Sequence, residues 1–210
     1  MFGIHNYLGF LLAGIALNIT PGADTMYILT RSIAHGKRAG IISVLGICTG
    51  CLAHILCAAF GLSLLLTTSA TLFALVKYAG AGYLVYLGVK MCRDRGTPFE
   101  KLDSANERAD ALAIYRQGVL TNALNPKVAL FFLSFLPQFI QPEQAHTALP
   151  FLILGGTFLT TGMIWCLFLA YAASLMTSAL RKNARIGQLM NKMSGVIFIG
   201  FGLQLALKHE

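Results

Sequence analysis

Apolar stretches of about twenty residues follow one another along this chain with only short polar breaks between them. About 20 residues is the length a helix needs to cross a hydrocarbon core of ~30 Å. Composition leaves no other way to bury them. Of 210 residues, 56% are hydrophobic and 11% charged, whereas a soluble domain carries about 25% charged residues. The fold read from this pattern is an all-α integral membrane protein with six transmembrane helices, at roughly 6–30, 39–66, 70–92, 116–140, 148–176 and 188–208. The first stretch, from Tyr7 onward, has neither a basic n-region nor a small-residue cleavage site, so it reads as a retained helix.

The net charge of +8 is not a nucleic-acid signal, because the basic residues cluster in short loops between apolar spans, where anionic lipid headgroups are the simpler partner. With six spans, the loops after helices one, three and five share one side. They carry Arg31, Lys37 and Arg38, then Arg93, Arg95, Lys101 and Arg108, then Arg181, Lys182 and Arg185. The other side holds only Lys208. The positive-inside rule then puts both termini outside the cytoplasm. Residues 93–115 form the one substantial loop, rich in charge and poor in large apolar residues, which reads as a solvated cytoplasmic connector.

That connector divides the chain into two three-helix repeats, 1–92 and 116–210. Aligned at an offset of 115 residues, Lys77, Gly80, Tyr83 and Leu84 meet Lys192, Gly195, Phe198 and Ile199. The first and fourth spans echo each other through Asn18 and Pro21 in one and Asn122, Asn125 and Pro126 in the other. Halves of three helices are inverted relative to each other. Inverted repeats with interrupted helices at matching positions point to a transporter whose site lies at the bilayer midplane.

The run Asn18-Ile19-Thr20-Pro21-Gly22-Ala23-Asp24 interrupts the first helix, because Pro21 donates no backbone hydrogen bond and Gly22 weakens the helix further. The fourth helix breaks at Asn125-Pro126. Backbone groups freed in hydrocarbon must be satisfied by protein or a water-filled cavity. Asp24 and Lys127 are the two charges deep in apolar runs, and each costs at least ~2.5–3.5 kcal/mol to place there. Two arrangements follow: a static Asp24–Lys127 ion pair, or a zwitterion site with Lys127 near a carboxylate and Asp24 near an ammonium. In the second, Asn18, Thr20, Asn122 and Asn125 supply polar ligands around Pro21, Gly22 and Pro126, and the helix N-termini add positive potential.

On the second span Gly46, Gly50, His54, Ala58 and Gly61 fall close to one face, so His54 looks inward, as a packing side chain or as a proton relay working with Asp24. Thr157, Thr161 and Trp165 make a stripe on the fifth span, the threonines bonded either to a site or to their own helix. The spacing Gly46-x-x-x-Gly50 permits close contacts within one chain or between chains of a homo-oligomer. The five cysteines make no disulfide framework. Cys48-x-x-Cys51, with Cys166 at the repeat-equivalent position, gives a first rival function, a membrane thiol–disulfide electron carrier, and a structural membrane subunit with no substrate is the second. No metal-ligand spacing, phosphate-binding Gly loop or nucleophile elbow is present, so neither an enzyme nor a cofactor is expected.

Taken in order, several pieces resemble the LysE-type amino-acid exporter family, in particular its homoserine/threonine and leucine efflux branch. They are Thr20-Pro21-Gly22-Ala23-Asp24, His35-Gly36-Lys37-Arg38-Ala39-Gly40, Leu45-Gly46 through His54, and Tyr78-Ala79-Gly80-Ala81-Gly82-Tyr83-Leu84-Val85-Tyr86-Leu87-Gly88. Leu120-Thr121-Asn122 through Asn125-Pro126-Lys127 and Phe135-Leu136-Pro137-Gln138-Phe139 complete the set. Where the family commonly has Pro between the Gly and the Asp of the first motif, this chain has Ala23. The resemblance implies export of a small amino acid or related metabolite from the bacterial cytoplasm across the inner membrane, in exchange for protons, by a bundle of two inverted three-helix halves.

Overall fold

The computed structural model describes residues 2–62 and 110–175 continuously, together with scattered positions between 75 and 93 and between 192 and 207. Among these the structure is helical, with one isolated antiparallel bridge between Ile4 and Ile140. The repeat pairs Lys77/Lys192, Gly80/Gly195, Tyr83/Phe198 and Leu84/Ile199 each have at least one member outside the described residues, and so does most of the connector, at 94–109.

Helix α1 (Tyr7–Ile19) starts at Asn6, whose side chain accepts from the Gly9 amide at 3.3 Å. It stops where the proline rule says it must. Thr20 has ψ 120°, the extended conformation that a following proline imposes. Helix α2 (Ala23–Leu56) begins after Pro21-Gly22 and places Asp24 in its first turn. Gly36 interrupts α2 with φ +80° and ψ −177°, a backbone state that residues with a Cβ rarely adopt.

The interruption is a corner. A side chain at Gly40 would run into Ser32 and Ala170, yet residues eight apart on a straight helix stand about 12 Å apart. The two arms of α2 therefore fold back on each other at Gly36. The basic loop read between Arg31 and Arg38 is this corner, with Arg31 still on the helix before it.

Helix α3 (Ala111–Ala123) is capped by Asp110, whose side chain accepts from the Leu112 amide at 3.3 Å. The fourth expected span thus begins five residues before the expected 116, with the last part of the connector wound into it. Helix α4 (Pro126–Leu130) restarts after Asn125, with Pro126 in the first turn, where its missing N–H costs nothing. It continues as a π turn over Phe131–Phe135 and a 3-10 turn over Leu136–Phe139. Pro137 explains the irregularity, because it cannot donate to the carbonyl four residues back. The two limbs, Ala111–Ala123 and Pro126–Phe139, are bent by 42° at the break. Helix α5 (Ala148–Leu175) matches the expected fifth span to within one residue.

Among the described residues, two helical segments, Ala23–Gly61 and Ala148–Leu175, are long and apolar enough to cross a membrane, and the bent pair makes a third when its limbs are taken as one span. The second arm of α2 packs on α3 through glycine. A Cβ at Gly46 would meet the Tyr115 carbonyl, and one at Gly50 the Val119 carbonyl. The Gly-x-x-x-Gly spacing is used inside the chain, where it brings two backbones into contact.

Buried side chains gather in two clusters. One is aromatic, built on Phe10, Phe131, Phe135, Phe139 and Phe158, with the Phe131 and Phe158 rings 4.8 Å apart. The other is aliphatic, built on Ile28, Val44, Ile47 and Ala170, with Cys48 and Cys166 against it.

Candidate functional site

The two helix breaks meet, and each satisfies the other. Helix α1 ends with carbonyls that have no partner four residues on. Lys127, in the first turn of α4, fills that end: its Nζ donates to the carbonyl oxygens of Thr20 at 3.0 Å and Leu17 at 3.3 Å. A cation belongs there, since partial negative charge collects at a helix C-terminus. Gly22 leaves the room, because a Cβ on it would lie 3.1 Å from Lys127 Nζ.

In the other direction, Asn122 and Asn125 each donate a side-chain N–H to Asp24 Oδ2, both at 2.9 Å. Asn125 also caps α4, its Oδ1 accepting from the Lys127 amide at 3.0 Å. Among the described residues Asp24 and Lys127 form no direct ion pair. In place of the static pair, one of the two arrangements open from the sequence, stands a crossed arrangement in which each charge is held by neutral dipoles of the opposite break. Asp24 is itself in the first turn of a helix, where negative charge is favoured.

Two acceptors remain without partners. Asp24 Oδ1 and Asn122 Oδ1 are buried and unbonded, in residues only 8% and 3% exposed. The Asn122 amide cannot be turned round to remove the orphan, because Asp24 needs its N–H and a carboxylate only accepts. An unpaired buried acceptor costs about 1–3 kcal/mol, and here two stand on side chains bonded to each other.

Both residues line a chamber of about 40 Å³ between the two apolar clusters. Asn18 and Lys127 line it too, and apolar wall comes from Ile47, Val128, Leu159 and Met163. A water needs about 10–15 Å³ on this measure, so the chamber in this conformation has room for a few waters and must widen to take a larger molecule.

The remaining expected residues frame the chamber or serve it. Thr20 returns its hydroxyl to the Ala16 carbonyl at 2.7 Å and contributes its backbone oxygen instead. Pro21, Gly22 and Pro126 shape the breaks. Asn18 donates to the Phe158 carbonyl at 3.2 Å and to Thr161 Oγ1 at 3.1 Å, tying α1 to α5. Thr157 and Thr161 each bond their own helix, one of the two expectations, and each also meets α1, through Tyr7 and Asn18, without lining the chamber.

His54 stands one step back. Its Nε2 lies 3.0 Å from the Asn122 backbone carbonyl, and its ring stacks on Phe132 with centroids 6.2 Å apart. Facing a carbonyl, Nε2 must carry the proton. His54 thus reaches Asp24 only through Asn122. Sequence reasoning did not find Thr25, Leu159, Gly162 or Met163, which also line the chamber. Leu159, Gly162 and Met163 carry no charge and lie on no motif, so only the packing of α5 against the breaks brings them in, while Thr25 enters beside Asp24 in the first turn of α2.

Cys48, Cys51 and Cys166 are free thiols that line the same chamber.

The chain matches the family described as LysE type translocator over residues 15–209. A leucine efflux protein of Salmonella typhimurium is 30% identical over 206 residues, covering 98% of this chain and 96% of its own. A Vibrio cholerae protein described as an uncharacterized membrane protein is 34% identical over 203 residues, covering 97% of each chain. The Bacillus subtilis membrane protein YrhP is 32% identical over 213 residues, covering 97% of this chain and all of its own. No solved structure matches. Apolar helices, crossed helix breaks and a family match over most of the length agree, and this chain is a membrane protein of the LysE type translocator family.

Proposed function

We propose that the chain is a secondary exporter of small apolar amino acids, working by alternating access and exchanging substrate for protons across the bacterial inner membrane. One observation carries this reading: two buried, unpartnered acceptors, Asp24 Oδ1 and Asn122 Oδ1, on one chamber with an apolar wall. An α-ammonium group has three donors and satisfies both. The wall suits an uncharged side chain, and relatives described as leucine efflux proteins support the same class.

Asp24 is the exchange point, because a proton and a substrate ammonium compete for the same oxygen. Lys127 has a third N–H beyond the two given to Leu17 and Thr20, which is available to the substrate carboxylate. Asn18, Asn122 and Asn125 complete the polar frame. His54 couples to Asp24 through the Asn122 carbonyl. The corner at Gly36 and the two breaks suit a six-span architecture of two inverted halves, 1–92 and 116–210, joined by a cytoplasmic connector at 93–115. Both termini are then outside the cytoplasm, with the basic corner inside against anionic lipid.

The test is efflux of labelled amino acids from proteoliposomes, with and without an imposed pH gradient, comparing wild type with Asp24→Asn. Gradient-dependent movement of leucine-like amino acids, lost in the variant, is the expected result. Wild-type rates in Asp24→Asn, or no amino acid moved by folded protein, would overturn the proposal.

A further inference from the structure

Sulfur makes up part of the chamber wall. Cys48 and Cys51, from the second arm of α2, and Met163 and Cys166, from α5, are four of its lining residues. Among the described residues none of the three thiols has a hydrogen-bond partner. Each S–H is a weak donor pointed at nothing stronger than the chamber's apolar wall.

The thiols come from both halves of the chain, Cys51 and Cys166 standing 115 residues apart, the offset that relates the two halves. Asp24 and Asn122, which carry the unpartnered oxygens, line the same chamber. An amino acid anchored by its ammonium on those oxygens lays its side chain against sulfur. Thiols and thioethers are polarizable and adaptable, and a thioether sulfur is a weak acceptor that suits weak S–H donors.

We infer that this wall is the side-chain subsite and that it favours a sulfur-bearing apolar amino acid, methionine above its sulfur-free counterpart of the same length, norleucine. The inference rests on the amino-acid reading of the Asp24 and Asn122 site. Methionine and norleucine differ by one sulfur replacing one methylene. Hydrophobic burial alone does not favour methionine, so a preference for it reports sulfur contacts.

Counterflow of labelled leucine in proteoliposomes, competed by methionine and by norleucine, reads the preference directly. Methionine is expected to compete several-fold better, and the ratio of the two, whatever the absolute rate, is expected to fall to about one in Cys48→Ala/Cys51→Ala/Cys166→Ala. Equal competition in wild type, or an unchanged ratio in the variant, would overturn the subsite. Thiol protection on the wild-type protein supplies a readout that needs neither transport nor a variant. Methionine should slow methylthiolation of Cys48, Cys51 and Cys166 by methyl methanethiosulfonate, read by mass spectrometry, more than norleucine does, with Cys57 and Cys92 unaffected. Equal slowing by the two amino acids, or slowing at Cys57 and Cys92 as well, would overturn the subsite. Amino acids that protect without leucine being carried would fault the export reading and leave the subsite standing; leucine carried with no protection by methionine would do the reverse.

Discussion

Lys127 Nζ lies 3.0 Å from the carbonyl oxygen of Thr20, so the charge of one helix break closes the helix that ends at the other. With Asn122 and Asn125 reaching the opposite way to Asp24, the two breaks form one crossed unit. Its members are coupled, and their substitutions should not add.

Asp24→Asn is expected to abolish coupled efflux while leaving membrane insertion intact. The variant keeps an acceptor for one amide but loses the charge that holds an ammonium. A hydrogen bond to a charged group is worth about 1.5–3 kcal/mol, roughly a ten- to hundred-fold loss of substrate affinity. Substrate-induced shifts in melting temperature check this without a transport assay.

Lys127→Met is expected to lower stability as well as activity, because it strands the Leu17 and Thr20 carbonyls at about 1–3 kcal/mol each. Combining it with Asp24→Asn should not restore transport, since the two charges answer to different partners. A double variant that regains wild-type efflux would show the pair to be a simple ion pair after all.

His54→Gln should keep most of the activity and His54→Leu should not. Glutamine can still donate to the Asn122 carbonyl; leucine leaves it unpaired. Glutamine cannot titrate, so loss of pH-gradient dependence in His54→Gln, with binding unchanged, would instead make His54 a proton carrier in its own right.

Gly50→Val is expected to destabilise the protein by about 1–3 kcal/mol, as overpacking does. Its Cβ would press on the Val119 carbonyl and on Asn122 itself, so substrate affinity should fall with stability. Gly61→Ala on the same segment meets nothing within 4 Å and serves as the control. Size-exclusion profiles and thermal midpoints in detergent check both.

Much of the crossed unit is legible in the amino-acid sequence. Pro21 and Pro126 locate the breaks, because a residue without an N–H frees a backbone carbonyl that must find another partner in hydrocarbon. Asp24 and Lys127 stand out because a charge in an apolar run needs a partner. The identity of that partner is what the sequence leaves open. Asp24 and Lys127 have opposite sign and stand beside matching helix breaks, so an ion pair and a zwitterion site both fit, and the open carbonyl end of α1 takes the ammonium instead.

The sequence by itself determined that the chain is helical, apolar and twice interrupted, because hydrocarbon length and the missing N–H of proline act locally. Only the tertiary structure decided that Asn122 rather than Lys127 bonds Asp24, that Gly46 and Gly50 pack inside the chain, and that Cys48, Cys51, Met163 and Cys166 share one chamber. Those relationships depend on how segments about a hundred residues apart cross, a matter of packing distance that no local pattern encodes.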